Sequence, residues 1–384
     1  MNGPEPVLYL NLYATIGGAE RALLELVGRL DPARHTPIVA LGGEGELVAA
    51  LRGRGVEAAV VPFPTPPLHG LLWPPTLWRV ARAARRLGRQ VVERGVRLVQ
   101  CGDVLGLLLL GPARRQGARL VYQVNYLGGG PRVASLRGLG RRVDALVACS
   151  RYQAGQVARS APELSRRTVV VHPGIDPAAF ARGDGRSFRR ELGVPDDAPL
   201  VGMLARYDVW KGHHVFLDAA ARLAAARPAA RFAMIGGALN AGALTHVARY
   251  RDAVLAHRAR LGLVDRVLVV DHRPDVADVL SALDVFALPS TGEPFGMALI
   301  EAMAAGRPVA ASDTGGPAEI VQEGRSGLLF RTGDPGALAA AVASLLDDPA
   351  SARRLGDAGR RRVAKAFDAG RYAREMEAVY ARLA

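Results

Sequence analysis

Two glutamates separated by seven residues, Glu293 and Glu301, mark the segment of this sequence with the clearest chemical potential. An apolar run of strand length, 284–290, precedes the first glutamate, and apolar residues at helical spacing surround the second. Glu293 is therefore predicted in a strand-to-helix loop, and Glu301 about a turn and a half into the helix. Carboxylates in such positions can accept hydrogen bonds from the hydroxyls of a neutral polyol.

The backbone between the two glutamates is predicted to offer hydrogen-bond donors. The amides of Phe295, Gly296 and Met297 fall at the start of the predicted helix. N–H groups there have no partner within the helix, and the helix dipole adds about half a positive charge. Such an end suits a phosphate or a sugar hydroxyl. The segment is therefore predicted to form a pocket for a sugar that is attached to phosphates.

Arg206 and Lys211 form a second candidate pair. They flank the loop between a predicted strand, 200–205, and a helix predicted to begin near His214. A guanidinium donates a forked pair of hydrogen bonds and an ammonium acts as a point charge, so together they suit a diphosphate. Lysine is rare in this arginine-rich chain, which favours a chemical need for an ammonium at position 211. The alternative is an ordinary surface pair.

The glutamate motif, with Phe-Gly shortly after its first residue, resembles the signature of the retaining glycosyltransferases of family 4. These enzymes have the GT-B fold of two Rossmann-like domains, and the resemblance extends over nearly the whole chain. The further matching motifs are the glycine loop 16–21, the Arg206/Lys211 pair with Gly212, Ile-Gly-Gly at 235–237, Arg-Pro-Asp-Val at 273–276 and Asp-Thr-Gly-Gly-Pro-Ala-Glu at 313–319.

The resemblance implies a role for each matching residue. Glu293, Arg206 and Lys211 would be the catalytic residues, with Glu293 facing the donor sugar and the two cations neutralising the leaving diphosphate. Glu301 would bind the ribose hydroxyls. The residues expected to contact the donor are Gly17, Gly18, Arg206, Lys211, Glu293, Phe295, Gly296, Met297 and Glu301.

Two positions depart from the family pattern. Asn125 stands where many members have a histidine at the end of the fourth strand, in a segment that reads Val-Tyr-Gln-Val-Asn. Asparagine forms hydrogen bonds but carries no charge, so contact with the acceptor or the donor sugar could survive while a role that needs an imidazolium could not. The family's Asn-Gly-x-Asp motif appears here as Pro-Gly-Ile-Asp, 173–176, after His172. We interpret His172 as structural rather than catalytic.

The sequence favours chemistry without a metal ion or a cofactor. It has no Asp-x-Asp, the motif with which single-domain glycosyltransferases hold a divalent ion, and its histidines are scattered. The only expected small molecules are a UDP- or GDP-sugar donor and a hydroxyl acceptor. Two cysteines in 384 residues indicate a reducing compartment without a disulfide framework.

Alternating apolar strands and amphipathic helices predict an α/β fold with parallel sheets covered on both faces. With the resemblance, this becomes a GT-B fold: two Rossmann-like domains, a cleft between them, and a C-terminal helix that crosses back to the first domain. The expected ranges are an acceptor-binding domain at 1–178, a nucleotide-sugar-binding domain at 186–365 and the crossing helix at 366–384. A Pro- and Gly-rich segment, 173–185, is predicted to link the domains.

The net charge of +14 is unevenly distributed. Residues 1–178 hold 23 arginines and no lysine against 12 acidic residues, whereas the rest is nearly balanced. A helix predicted at 76–92 has Leu77, Val80, Ala84, Leu87 and Val91 on one face and Arg79, Arg82, Arg86 and Arg89 on the other. The arginine face is either a solvated surface or a contact for an anionic acceptor or membrane, together with the Arg132–Arg142 segment.

The sequence thus predicts a retaining, metal-independent glycosyltransferase that acts on a cell-surface polysaccharide, glycolipid or secondary-metabolite acceptor. A nucleotide-sugar epimerase of the same fold is one alternative, and a non-catalytic binder of sugar nucleotides or polyanions is another. Nucleic acid is not an expected partner, because the basic segments lack interleaved aromatic residues. The absence of a leader and of a long apolar run predicts a cytoplasmic protein, with peripheral contact at the inner face of the membrane as a further expectation.

Overall fold

The computed structural model describes residues 3–62, 74–125, 137–138, 141–237 and 245–383. The chain divides into two compact units. The first combines Met1–Gly174 with Ala369–Ala384, and the second is Ile175–Asp368. The predicted linker at 173–185 lies mostly inside the second unit, where it includes a 3₁₀-helix, Pro177–Phe180.

The first unit is built on seven parallel strands in the order β3-β2-β1-β4-β5-β6-β7. The strands are β1 Glu5–Asn11, β2 His35–Leu41, β3 Glu57–Val60, β4 Leu98–Cys101, β5 Arg119–Val124, β6 Ala145–Ala148 and β7 Thr168–Val170. The helices are α1 Gly18–Val27, α2 Glu46–Arg52, α3 Pro74–Glu93, α4 Val104–Leu109, α5 Gly111–Arg115, α6 Arg151–Ser160 and the 3₁₀-helix Pro162–Arg167. Central strands such as β4 and β6 are buried along their whole length, as expected for a sheet covered on both faces.

The second unit repeats this plan with six parallel strands in the order β10-β9-β8-β11-β12-β13. The strands are β8 Leu200–Leu204, β9 Arg231–Ile235, β10 Val267–Val270, β11 Val285–Leu288, β12 Val309–Ser312 and β13 Leu328–Phe330. The helices are α7 Gly185–Glu191, the 3₁₀-helix Val209–Lys211, α8 His213–Ala226, α9 Thr245–Arg260, α10 Val276–Ala282, α11 Met297–Ala304, α12 Pro317–Ile320, α13 Pro335–Asp347 and α14 Pro349–Ala366. The predicted α/β class with two Rossmann-like sheets is therefore confirmed.

A last helix, α15 at Ala369–Ala381, returns to the first unit and packs against α1. Buried polar contacts fix it to the sheet. The Tyr380 hydroxyl lies 3.0 Å from the Tyr9 hydroxyl and donates to Gln100 Oε1 at 2.6 Å. Gln123 Nε2 donates to the Tyr372 hydroxyl at 3.3 Å. Three strands of the first sheet, β1, β4 and β5, thus form hydrogen bonds with the last helix of the chain.

Helix α3 differs from its prediction at its N-terminal end. Ala84, Leu87 and Val91 are buried in the first core as expected, but Leu77 is 47% exposed. Its neighbour Trp78 is 60% exposed. The prediction that Leu77 belongs to the buried face is wrong, because the core cluster reaches along this helix only as far as Val80. No helix within the described residues has the length and apolar character needed to span a membrane.

Candidate functional site

The order of the second sheet reverses between the neighbouring strands β8 and β11. Right-handed crossovers that run in opposite directions from this point place their helices on opposite faces of the sheet. In parallel α/β sheets, loops that leave the carboxyl ends of strands at such a point diverge and form a crevice. The loop after β8 carries Arg206 and Lys211, and the loop after β11 carries Glu293. The topology therefore brings together the two motifs that the sequence singled out separately.

The two loops are held in contact by their backbones. Gly212 has φ +73°, and a Cβ at this position would lie 2.0 Å from the carbonyl oxygen of Pro289. Only glycine fits both the left-handed conformation and the close approach. The Thr291 amide also donates to the Trp210 carbonyl at 2.8 Å. Helix α8 starts directly after Gly212, so this contact fixes Lys211 at the mouth of the crevice.

Lys211 and Glu293 form a direct, largely buried ion pair. The Lys211 ammonium lies 2.7 Å from Glu293 Oε2, and their side chains are 15% and 9% exposed. The buried Ser290 hydroxyl donates to the same oxygen at 3.0 Å. Two donors thus fix one carboxylate oxygen, Oε2. Within the described residues, the side-chain hydrogen bonds of Glu293 all end on Oε2, so Oε1 can accept from a further donor.

The protonation of Lys211 reflects a balance of burial and charge. Burial lowers the pKa of the Lys211 ammonium, and the adjacent Glu293 carboxylate opposes that shift. Arg206 is half exposed, and its guanidinium lies 3.5 Å from Asp208. Because an arginine stays charged at all ordinary pH values, the pair provides one permanent and one titratable cation.

His213, the first residue of α8, serves packing. It is buried and stacks on the Tyr207 ring, with 4.7 Å between the ring centroids. Burial, reinforced by the nearby Lys211 charge, lowers the pKa of His213 to about 3. The imidazole is therefore neutral at physiological pH and adds no charge to the site.

Helix α11 carries the rest of the predicted donor motif. It begins at Met297 after Gly296, whose φ of +119° favours glycine. Phe295 is buried and packs edge-on against Phe367 at 5.7 Å. Glu301 is fully buried on this helix, so it is not a solvated surface residue.

A third loop, which follows β12, packs closely against the backbone of the Glu293 loop. The Gly316 amide donates to the Glu293 carbonyl at 2.9 Å. A Cβ on Gly315 would lie 2.4 Å from that same carbonyl oxygen, and one on Gly316 would lie 2.2 Å from the Phe295 carbonyl oxygen. The Gly-Gly of the 313–319 motif is thus required for close backbone packing. Sequence reasoning noted this motif without predicting the contact.

In the first unit, the candidate residues lie in the segments that follow β1 and β5, two strands that are separated in the sheet by β4. The Gly17 amide, at the start of α1, donates to Glu20 Oε2 at 3.0 Å. Asn125 follows β5 and is half-buried, and its Nδ2 lies 2.5 Å from where a Cβ on Gly102 would be. Gly102 follows β4, so the loops after β4 and β5 touch through the Asn125 side chain.

Other residues of the first unit have a structural role or lie outside the described part. The His172 carbonyl accepts a hydrogen bond from Arg371 at 2.6 Å, consistent with a structural position. Of the predicted basic segment, Arg137, Arg141 and Arg142 are described, whereas Arg132 lies outside the described residues.

The structure therefore places Arg206, Lys211, Glu293, Phe295, Gly296, Met297 and Glu301 on adjoining elements of the second unit. Gly17, Gly18 and Asn125 belong to the first unit. Sequence reasoning missed Ser290 and Trp210, although Trp210 directly precedes Lys211 and Ser290 ends the apolar run before Glu293. Among the described residues, no group of three or more His, Cys, Asp or Glu side chains is arranged to hold a metal ion.

Two family descriptions match this chain in succession. "Glycosyltransferase Family 4" matches residues 16–179, and "Glycosyl transferases group 1" matches residues 184–362. The first match falls almost wholly within the first unit, and the second lies within the second. Together they extend over most of the chain.

Two similar curated proteins are both named as D-inositol 3-phosphate glycosyltransferases. A D-inositol 3-phosphate glycosyltransferase 2 of Catenulispora acidiphila is 37% identical over 226 residues, which is 57% of this chain and 51% of that protein. A D-inositol 3-phosphate glycosyltransferase of Geodermatophilus obscurus is 36% identical over 239 residues, 62% of this chain and 52% of that protein. The matched segment spans about half the length of these relatives.

Solved structures share the fold over the full length. Anabaena HepE in complex with UDP-glucose superposes with a TM-score of 0.84 at 24% identity, covering 98% of this chain and 99% of that chain. Sucrose-phosphate synthase from Thermosynechococcus elongatus gives a TM-score of 0.82 at 22% identity, covering 99% of both chains.

Proposed function

This chain belongs to glycosyltransferase family 4, with the GT-B fold, and from that premise we propose that it transfers a sugar from a nucleotide sugar to an acceptor hydroxyl. The transfer retains the anomeric configuration of the sugar. The observation that carries the proposal is the buried Lys211–Glu293 pair at the β8/β11 crevice. It combines a cation for phosphate with a carboxylate for sugar hydroxyls in one place.

Each side chain has a distinct task in this proposal. Lys211 and Arg206 bind the diphosphate of the donor, while the backbone at Phe295, Gly296 and Met297 adds N–H donors at a helix start. Glu293 accepts a hydrogen bond from the donor sugar through Oε1, since Oε2 is held by Ser290 and Lys211. The ribose hydroxyls lie towards Glu301. For Gly17, Gly18 and Asn125 of the first unit, we propose the donor and sugar contacts that the family resemblance implies.

The reaction exchanges one bond for another at the anomeric carbon. The bond to the diphosphate oxygen breaks, and the acceptor oxygen bonds to the same face of the sugar. The acceptor proton passes to the departing phosphate oxygen. Negative charge develops on that phosphate, and the fixed cations Arg206 and Lys211 stabilise it without reorganisation. Because these two charges are built into the protein, we propose that the reaction needs no divalent ion.

UDP-sugars are the first donors to test. The Anabaena protein of the same fold was solved with UDP-glucose, and another structure of it holds UDP and glucose. We propose a UDP-sugar for this chain on that likeness, with GDP-sugars as the alternative. Calorimetric titration with UDP and GDP distinguishes them, because only the matching base contributes affinity beyond that of the diphosphate.

We propose an anionic acceptor. The similar curated proteins are named for an inositol phosphate, and residues 1–178 of this chain carry a net charge of +11. Arg79, Arg82, Arg86 and Arg89 are exposed on α3, where they can contact an anionic group. A phosphorylated polyol satisfies this charge, and so does an acceptor embedded in an anionic membrane surface.

The membrane form of this proposal has additional support in α3. Leu77 and Trp78 are exposed beside the arginines, and the Arg82 guanidinium lies 5.4 Å from the centre of the Trp78 ring. Exposed apolar and aromatic side chains next to cations suit the boundary of an anionic bilayer. A peripheral position at the inner face of the membrane in the cytoplasm would follow.

Release of nucleotide tests the function directly. The protein is incubated with UDP-glucose, other UDP-sugars and GDP-sugars, with and without inositol 1-phosphate or inositol 3-phosphate, and free UDP or GDP is measured. Acceptor-dependent release that persists after exhaustive chelation supports the transferase. Sugar interconversion without acceptor would indicate the epimerase alternative, and binding without turnover would indicate a non-catalytic binder. Loss of activity on chelation would contradict the role given to Arg206 and Lys211.

A further inference from the structure

The side chain of Trp210 lies near both cations that the proposed function assigns to the diphosphate. It occupies the 3₁₀-helix Val209–Lys211 and is half-buried. The Lys211 ammonium lies 3.9 Å from the centre of the indole ring, and the Arg206 guanidinium carbon lies 6.0 Å from it. Both cations are therefore within the range of cation–π attraction to a single ring.

Long cationic side chains lose considerable rotamer entropy when they bind a ligand. A rigid aromatic surface that already holds both cations removes part of that cost before the ligand arrives. Tryptophan is the best side chain for this purpose, because its ring has the strongest attraction for a cation. In addition, the ring gives the Lys211 ammonium a favourable contact that does not depend on Glu293. This contact remains when a phosphate competes with Glu293 for the hydrogen bonds that the ammonium donates.

We propose that Trp210 is a positioning residue that preorganises Lys211 and Arg206 for the diphosphate. This inference rests on the proposed function, because it takes the two cations as the diphosphate site. It does not follow from the glutamate motif, since the contacts that carry it join the indole to the two cations.

The contact between the two loops does not depend on the indole. Thr291 donates its amide to the backbone carbonyl of residue 210, at 2.8 Å, and any side chain supplies that carbonyl. Trp210→Leu therefore removes the aromatic face while it keeps the loop connection and an apolar side chain. Trp210→Phe keeps an aromatic face. Val209→Ala is the matched control, because Val209 belongs to the same 3₁₀-helix and is 64% exposed.

The experiment titrates the full chain and these variants with UDP and GDP and with uridine and guanosine. For the diphosphate that binds the wild type, Trp210→Leu should weaken affinity about tenfold, the scale of partly desolvated cation–π contacts. Trp210→Phe should recover most of that affinity, and Val209→Ala should match the wild type. The matching nucleoside should bind Trp210→Leu as it binds the wild type, because it carries no phosphate.

Two results would overturn the inference while leaving the proposed function intact. One is undiminished diphosphate affinity in Trp210→Leu. The other is an equal loss for the diphosphate and its nucleoside, which would mean that the indole contacts the nucleoside or supports the fold. A wild-type protein that binds neither UDP nor GDP would overturn the proposed function, and this inference with it. Thermal melting of each variant identifies a general loss of folding.

Discussion

The two units share a sheet plan but present their candidate residues differently. In the second unit, Lys211 and Ser290 both contact the Glu293 carboxylate, and glycines that tolerate no Cβ fix the loops that carry these residues. In the first unit, Gly17 and Asn125 lie at the ends of separate strands, and the arginines are dispersed on the surface. Under the proposed function, donor recognition would depend on fixed geometry, whereas acceptor recognition would depend on distributed charge.

The largest effects should therefore follow loss of single side chains in the second unit. Lys211→Ala and Glu301→Gln should each weaken binding of the nucleoside diphosphate or its sugar by about 2–4 kcal/mol, the scale of a charge-assisted contact in a closed site. Asn125→Ala should change that affinity by less than about 1 kcal/mol. Lys365→Ala is the control, because Lys365 is the only other lysine of the sequence and its side chain is exposed. Calorimetry provides the measurement, and unchanged affinity and turnover in both site variants would end the assignment.

The glycines provide a second test of fixed geometry. Gly212→Ala should lower stability by about 3 kcal/mol, because it combines left-handed strain with a collision against the Pro289 carbonyl. Gly193 has φ +64° but no neighbouring atom within 4 Å of where a Cβ would be, so Gly193→Ala should cost only about 1 kcal/mol. Gly17 has an ordinary extended φ of −112°, so Gly17→Ala should lower stability by no more than about 1 kcal/mol.

Thermal unfolding of the three glycine variants checks this order. Similar melting temperatures for Gly212→Ala and Gly193→Ala would show that the two loops can separate without penalty. A larger loss for Gly17→Ala than for Gly212→Ala would reverse the comparison between the units.

Dispersed charge should produce smaller, additive effects. Replacing Arg79, Arg82 and Arg86 by glutamine should weaken binding to anionic vesicles by about 1 kcal/mol per residue, and the binding should fall steeply with salt. Replacing the exposed Arg353, Arg354 and Arg361 of α14 removes the same charge from the second unit and should have little effect. Cosedimentation at low and physiological ionic strength measures both. Equal losses of vesicle binding in the two sets of variants would mean that only net charge matters. If the protein does not bind vesicles even at low salt, the proposed acceptor would be a soluble anion rather than one embedded in a membrane.

The smallest expected effect is a pH dependence of donor binding. Burial lowers the pKa of Lys211, so the ammonium loses its proton below the ordinary value of 10.5. Affinity for the diphosphate should therefore decline as the pH rises through the lowered pKa of Lys211, by less than about tenfold over the alkaline range in which the fold survives. Lys211→Arg should abolish the decline, because its guanidinium stays charged. A decline of equal size in that variant would assign it to another group.

Sequence patterns predicted the α/β class and the positions of the motifs. Strand and helix periodicity located the loops that hold Arg206, Lys211 and Glu293, since these loops lie between regular elements. Periodicity did not locate the end of the core along α3, where Leu77 proved to be exposed. Burial there depends on which elements cover the helix, and no local pattern records that.

The contacts inside the site were also beyond sequence reasoning. Residues 211 and 293 meet because β8 and β11 are adjacent in the sheet, although the two residues are 82 positions apart in the chain. Ser290 and Trp210 gain their positions from the same adjacency. Their residue types alone suggest a strand end and a core aromatic, so a pairing of the strands was needed before either could be related to the cations.

The return of α15 to the first sheet has a consequence for biosynthesis. Tyr9 and Gln100 are buried against Tyr380, so their hydroxyl and amide groups find these partners only after the whole second unit has left the ribosome. The second unit is continuous in the chain and can fold as soon as it emerges. The unit that is synthesised first is therefore the one that is completed last.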